Sequence, residues 1–313
     1  MSNPIFLPLS LARAVDTTPR EREWLHEYKL DGYRIEAVLR DGTVQLFTRN
    51  ANDWSAKFSR VAFDLATLPV ASATLDGEIV AVDAKGAASF QRLQQRIDAK
   101  SDTGVRYHVF DLLTVDGIDL RSEPLRVRRQ ALRALLRYRP RASVIRPTPT
   151  FNRKVGDPLE QARSKGLEGV ISKRMNAPYV SGRNGGWLKV KAGQRQELIV
   201  LGFTDPDGSR EGFGALLLGV YDNAGVLHYA GKVGTGFDRQ TLTTLHRRLR
   251  ALQTRARPNT LHGDIGVAGS HWITPSLVVE VAFAEWTDDG RLRQPVFKGV
   301  REDKDATLVQ RES

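Results

Sequence analysis

The sequence predicts an α+β chain of two domains, a first block of antiparallel strands interleaved with helices and then a small closed β-barrel. Three observations carry this. Alternating apolar segments broken by Asp-Gly turns run through most of the first 190 or so residues. Helical periodicity is confined to a few short stretches. In the last 120 or so residues, strands recur around a single helix-like segment.

The elements follow in order. Residues 24–29 (WLHEYK) are strand-like and stop at Asp31-Gly32. Residues 33–40 (YRIEAVLR) resume alternation, with Tyr33, Ile35, Ala37 and Leu39 on one face. Asp41-Gly42 is a strong hairpin signal leading into TVQLFTRN. A helix is expected near residues 57–67, then the strand TLDGEIVAVD, the helix SFQRLQQRI and the strand and turn VRYHVFDLLTVDG. Residues 123–137 alternate Arg and Leu with helical spacing, and their arginines read as a solvated face. The second block begins near Arg195. ELIVLGFT, GALLLGVYD and VLHYAGKVG are apolar strands separated by Asp-Pro-Asp-Gly and Asp-Asn-Ala-Gly turns. The helix-like DRQTLTTLHRRLRALQ and the strand SLVVEVAFAEWT complete a pattern that suits a barrel of the OB type. AGQRQE, at 192–197, separates the two strand patterns, which places the domains at 1–193 and 194–313.

Bulk properties narrow the classes. The 313 residues can bury a sizeable core in each domain. With 41% hydrophobic and 27% charged residues the composition is globular rather than disordered. No apolar run reaches the length of a membrane span. The N-terminus makes a poor signal peptide, because it lacks a basic start and Pro4 and Pro8 interrupt its apolar part. The absence of cysteine excludes disulfides and cysteine-based zinc sites and fits a reducing cytoplasm. A formal net charge of +11 points to a polyanionic partner, since basic side chains displace counterions condensed on phosphates.

The sharpest local feature is Glu27-Tyr28-Lys29-Leu30-Asp31-Gly32-Tyr33-Arg34. It puts a lysine at a strand end before a tight turn, with a carboxylate two residues on and an arginine five residues on. The strand fixes the amine on rigid scaffold, and the glycine lets a ligand approach the backbone. A lysine nucleophile must lose its proton, which neighbouring cations or a metal ion favour. By itself the string also fits a surface lysine beside a hairpin. Alternation in WLKVK places Lys189 and Lys191 on one face with Val190 pointing away.

The strings EYKLDGYR, LFTRNANDW, LDGEIV, YHVFDLL, EGVISKR and WLKVK occur in that order. Together they resemble the ordered motifs of the covalent nucleotidyltransferases, specifically the ATP-dependent DNA ligases. Among these the chain is similar to the ligase module of bacterial end-joining proteins of the ligase D type. The resemblance runs from about residue 24 to residue 304. It implies a nucleotidyltransferase (adenylation) domain with antiparallel sheets and helices, followed by an OB-fold β-barrel.

The resemblance also implies roles. Lys29 would carry AMP as a phosphoramidate, and Glu27 would lie beside the adenine. Arg34 and Arg49 would contact the ribose and the phosphate of the nicked strand. Glu78 would bind a ribose hydroxyl or help place a metal, and Glu168 would be the main metal-binding carboxylate. Phe110 would stack on the adenine, while Lys189 and Lys191 would contact the α-phosphate. Read singly, Phe110 fits a core position, Glu168 a solvated strand start, Glu78 a surface ion pair, and the two lysines an exposed edge. Residues 291–304 resemble the last family motif, Arg-x-Pro-x-Phe-x-Gly-x-Arg-x-Asp-Lys. Its cations, Arg293, Lys298, Arg301 and Lys304, would close onto the nucleotide and orient pyrophosphate.

The expected reaction takes ATP and Mg²⁺, with Mn²⁺ as an alternative, and seals nicked double-stranded DNA through a domain rotation about residues 192–197. A monomer is expected, cytoplasmic and nucleoid-associated, with a Ku-like end-binding protein or a polymerase module as partner. No large DNA-binding domain is expected ahead of residue 24. An RNA ligase or capping enzyme shares the Lys-x-Asp-Gly core but fits EGVISKR and RQPVFKGVREDK less well. An NAD-dependent ligase lacks its cysteine zinc module here, and an inert DNA-binding OB protein would need none of the lysine and carboxylate set.

Overall fold

The computed structural model describes residues 6–84, 86, 88–206, 211–258, 261–262, 265, 267 and 269–311. Asp207 and Gly208 of the Asp-Pro-Asp-Gly turn, and Pro4, lie outside the described residues. The chain divides into two compact units, one ending at Ala192 and the other starting at Gly193.

The strands of the first unit are β1 (Ser10–Ala14), β2 (Trp24–Lys29), β3 (Tyr33–Arg40), β4 (Thr43–Thr48), β5 (Ser72–Ala81), β6 (Val105–Val115), β7 (Ile118–Asp119), β8 (Ile145–Pro147), β9 (Gly169–Arg174) and β10 (Gly182–Lys191). Its helices are α1 (Ser59–Ala66), α2 (Phe90–Asp98), α3 (Leu125–Leu136) and α4 (Pro158–Ser164). One sheet runs β4-β3-β5-β6-β7, with β8 beside β6, and the other runs β1-β10-β9-β2. The β3–β4 hairpin turns at Asp41 and Gly42 with φ of 47° and 76°, the two positive values that a two-residue I′ turn requires.

On β3 the predicted face, Tyr33, Ile35, Ala37 and Leu39, is buried in one core with Phe58, Val61 and Leu65 of the first helical stretch, Phe90 and Leu93 of α2, and Leu132, Leu135 and Leu136 of α3. The reverse face carries Arg34 and Glu36 and is covered as well. Arg34 is opposite Glu78 on β5, which in turn is opposite His108 on β6. The pairing of β5 and β6 slips between Asp76/Asp111 and Gly77/Val109, leaving Phe110 as the extra residue of a β-bulge. Bulges re-aim a side chain, and this one lets Phe110 join the polar face.

The second sheet presents its own polar face. Directly paired residues share a face, so Glu27, Ile171 and Lys189 form one row and Lys29, Gly169 and Lys191 the next. Val190 points the other way and is buried, as alternation requires. Val170, on that reverse face, packs with Phe151 and Ala162, the latter on α4.

The second unit contains β11 (Gln194–Thr204), β12 (Leu216–Tyr221), β13 (Leu227–Val233), α5 (Arg239–Ala251), β14 (Gln253–Thr254), β15 (Leu261–His262), β16 (Ser270–Ile273), β17 (Val278–Phe283), β18 (Glu285–Trp286), β19 (Leu292–Arg293) and β20 (Val296–Val300). Its long β11 pairs with β12, β16 and β17, and β17 pairs with β20. Leu245 and Leu249 anchor α5 to an apolar interior built from these strands.

Gly169 is where the sheet tolerates no side chain. A Cβ there would lie 2.0 Å from the Val190 carbonyl oxygen and 2.9 Å from Lys191 Cα. Gly169→Ala should therefore destabilise the protein by about 2–4 kcal/mol in denaturant unfolding. Gly193→Ala, where a Cβ meets nothing within 4 Å, should stay within about 0.5 kcal/mol.

Candidate active site

The two polar faces of the first unit enclose a cavity of about 120 Å³. Glu27, Lys29, Ile171, Lys173 and Trp187 line it from the β2 sheet, and Arg34, Glu78 and Phe110 from the β3 sheet. Ala12, Tyr28, Leu30 and Thr148 complete the wall. Lys29 ends β2 in this wall, its amine paired with Glu168, the residue just before β9.

The cavity floor is charged and closed to water. Glu27 is 1% exposed and its carboxylate is held by two cations, Arg129 from α3 and Lys173, whose Nζ lies 2.7 Å from Oε2. Lys173 Nζ also sits 3.8 Å from the Phe110 ring centroid and 3.9 Å from that of Trp187. Burial pulls the Lys173 ammonium below its ordinary pKa, and Glu27 and Asp111 pull against that. Arg34 grips Asp76 through two bonds of 3.0 and 2.6 Å and donates to the Ser10 carbonyl at 2.6 Å. Burial opposes its charge, yet Asp76 and Tyr179 raise its pKa above the ordinary value. The Tyr179 hydroxyl donates to Asp76 at 2.7 Å. Behind them Arg128 grips Asp111 with bonds of 2.7 and 2.9 Å.

The first-unit residues named from sequence do not all converge. Lys29, Glu27, Arg34, Glu78 and Phe110 line one cavity, with Glu168 on Lys29. Lys189 and Lys191 extend the same sheet face beyond Ile171 and Gly169. Arg49 lies in the exposed turn after β4 and is not part of the wall. Phe110 is half-buried and meets Trp187 edge-on at 5.7 Å, so it is neither plain core nor free.

The cations of the closing motif belong to the second unit. Arg293, on β19, is exposed and bonds Glu285 at 2.6 Å. Lys298 lies on β20, half-buried. Arg301 is half-buried among carboxylates, with bonds of 2.9 and 2.8 Å to Asp303 and 3.0 Å to Glu280. Lys304 lies 2.9 Å from Glu197.

Among the described residues no three His, Asp or Glu side chains converge as a metal cage. The donors present, Glu168 and Glu78, fit a hard cation that takes one or two carboxylates and completes its shell with phosphate oxygens and water.

A family model described as ATP dependent DNA ligase domain matches residues 10–191, and one described as ATP dependent DNA ligase C terminal region matches residues 209–304. The chain belongs to the ATP-dependent DNA ligases. The ligase is 40% identical over 98% of its length to the multifunctional non-homologous end joining protein LigD of Pseudomonas aeruginosa, of which it covers 36%. It superposes on a mycobacterial DNA ligase D complexed with ATP and MES with a TM-score of 0.75, 33% identity and 98% of each chain covered. The ligase domain of Mycobacterium tuberculosis LigD matches with a TM-score of 0.51, 32% identity and 98% coverage of each chain. The ligase thus spans about a third of the length of that Pseudomonas relative. No helix of the described residues is long and apolar enough to cross a membrane.

Several residues of the ligase site are not singled out by the motifs. Lys173 and Trp187 were legible from alternation, since they continue the faces of Ile171 and Lys189. The α3 arginines correct the solvated-face expectation. Arg126, Arg133 and Arg137 are exposed, but Arg128 and Arg129 are buried. They occupy i+3 and i+4 from Leu125, on the stripe completed by Leu132 and Leu136, and the carboxylates of Asp111 and Glu27 neutralise them there. Asp76 and Asp111 lie inside the strings LDGEIV and YHVFDLL, and Tyr179 just after EGVISKR, but the motif reading assigns none of them a role.

Glu36, next along β3 on the polar face, is 0% exposed and accepts a bond from the Leu7 amide at 2.8 Å. Burial pushes its carboxyl up to about 8, which that amide only partly offsets. A carboxyl raised in the folded state stabilises the fold fully below its unfolded pKa, near 4.5, and loses that contribution as pH rises through about 8. The melting temperature of Glu36→Gln should therefore gain a few degrees on wild type between pH 5 and pH 8.5, read by thermal denaturation across that range.

Proposed function

We propose that the protein seals nicks bearing a 3′-hydroxyl and a 5′-phosphate in duplex DNA, through AMP carried on Lys29. The observation that carries this is Lys29 at a strand end in the cavity wall, with the half-buried Phe110 ring lining the same cavity and a cationic sheet face beside it.

In the first step Lys29 Nζ attacks the α-phosphorus of ATP. A P–N bond forms, the bond to the β-phosphate oxygen breaks, and pyrophosphate leaves while Nζ gives up a proton. Pairing with Glu168 aims the amine and ties its strand to β9. Lys189 and Lys191 supply positive charge along the same face, where it stabilises developing negative charge on phosphate oxygens. In the second step a 5′-phosphate oxygen of DNA attacks the same phosphorus, the P–N bond breaks, and Lys29 recovers a proton. Attack of the 3′-hydroxyl on the activated 5′-phosphate then joins the strands and releases AMP. Phe110 offers its face to the adenine, Glu27 lies at the base, and Arg34 and Glu78 serve the ribose side. Mg²⁺, or Mn²⁺, would be held by Glu168 and Glu78 and supplies charge neutralisation on the phosphate oxygens. Arg49 would contact the nicked strand, and Arg293, Lys298, Arg301 and Lys304 the pyrophosphate, on the strength of their motifs. Residues 1–193 and 194–313 would act as adenylation and OB domains.

The end-joining relatives support a role in double-strand break repair; a place in the cytoplasm at the nucleoid, and a Ku-like end-binding protein or a polymerase module as partner, rest on the motif resemblance alone. Lys29→Ala should form no covalent AMP adduct by intact-mass spectrometry and should lose ATP-dependent sealing of a defined nick. A labelled adduct on that variant would overturn the assignment. Phe110→Ala should still form the adduct, with KM for ATP raised about tenfold. An unchanged KM would make Phe110 a packing residue.

A further inference from the structure

One side chain of the cavity wall has no task in the chemistry above. Thr148 is 5% exposed, lines the cavity, and buries its Oγ1 without a hydrogen-bond partner among the described residues. Buried hydroxyls are nearly always satisfied, so an orphaned one on a residue that lines a ligand cavity is a place for a ligand to complete the bond.

The chain holds this hydroxyl still. Thr148 lies between Pro147 and Pro149. Proline fixes its own φ, and it restricts the residue before it to extended backbone. The Thr148 amide donates to the Val109 carbonyl at 2.9 Å, and the Tyr28 amide donates to the Pro149 carbonyl at 3.1 Å. The Pro-Thr-Pro segment is thus stapled to β6 beside Phe110 on one side and to β2 beside Lys29 on the other. Threonine, branched at Cβ, is stiff about χ1. A hydroxyl pre-placed next to a stacking ring loses little entropy when it forms a bond.

We infer that Thr148 is a specificity-determining residue that reads the polar edge of the base, its Oγ1 accepting a hydrogen bond from the exocyclic amino group of an adenine stacked on Phe110. This rests on the ATP-binding reading of the cavity. Glu27 lines the same wall with an acceptor-rich carboxylate. Acceptors facing position 6 of a purine suit the amino group of adenine and oppose the oxo group of guanine.

The test is a cycle of two side chains and two nucleotides. Covalent nucleotide on the protein is followed by intact mass, with ATP and with purine riboside triphosphate, which lacks only the amino group. Thr148→Val keeps the shape and removes the hydroxyl, and Thr148→Ser keeps the hydroxyl. With ATP, Thr148→Val should raise KM about tenfold with little change in kcat, and Thr148→Ser should stay within about threefold of wild type. With purine riboside triphosphate the wild type should itself be about tenfold weaker, and Thr148→Val should add nothing. An equal penalty with both nucleotides, or none with ATP, overturns the inference while leaving Lys29 chemistry intact. If the wild type forms no adduct, the functional reading falls and the inference falls with it.

Discussion

Glu27 is a carboxylate out of water, and its two cations come from parts of the chain far apart in sequence. Arg129 reaches it from α3 and Lys173 from β9. A buried carboxylate with one partner removed is costly, typically several kcal/mol, so helix, β2 and β9 are held in one arrangement or none. Phe110 and Trp187 are set by the same contact, because Lys173 lies against both rings. Lys29, two residues along β2, inherits this rigidity.

The same device is repeated across the space between the two sheets. Arg34 on Asp76, with the Tyr179 hydroxyl, and Arg128 on Asp111 are each bidentate and desolvated. Pairs of this kind add little net stability over apolar packing of equal volume. Their value lies in geometry and field, since a set of fixed charges in a dry site needs no reorganisation when a phosphoryl group reacts. The apolar content that stabilises the first unit lies instead on the other side of the β3 sheet, under α1, α2 and α3. One sheet therefore has an oily face for folding and a charged face for chemistry, and the Phe110 bulge lets an aromatic ring belong to the charged one.

The second unit solves a different problem. Its interior is built mainly of Leu, Val, Ile and Phe, and its motif arginine, Arg301, is paired with Asp303 and Glu280. Burial opposes the charge of that guanidinium, and Asp303, Glu280 and Glu197 raise its pKa well above the ordinary value instead. The closing motif is thus part of the barrel's own framework as well as a cationic segment.

β1, β7 and β8 are not legible in the sequence itself, whereas the β2 and β3 strands, the β3–β4 hairpin and the placing of Lys189 and Lys191 on one face are. Each depends on a period of two or on positive φ at Asp41-Gly42, properties of the local chain. The ordered motifs likewise point to Lys29, Glu27, Arg34, Glu78, Phe110 and Glu168. What only the tertiary structure decided is which charges answer one another. Arg128 and Arg129 look like solvent-facing residues until α3 is laid against β6, and Asp76, Asp111 and Tyr179 look like ordinary strand and loop residues until the two sheets meet. The slip that frees Phe110 depends on the register between β5 and β6, and the orphaned hydroxyl of Thr148 on a segment caught between β6 and β2. Desolvation is the reason for the division. A charge's role depends on what excludes water from it and what replaces that water, and those groups are set by packing between distant segments.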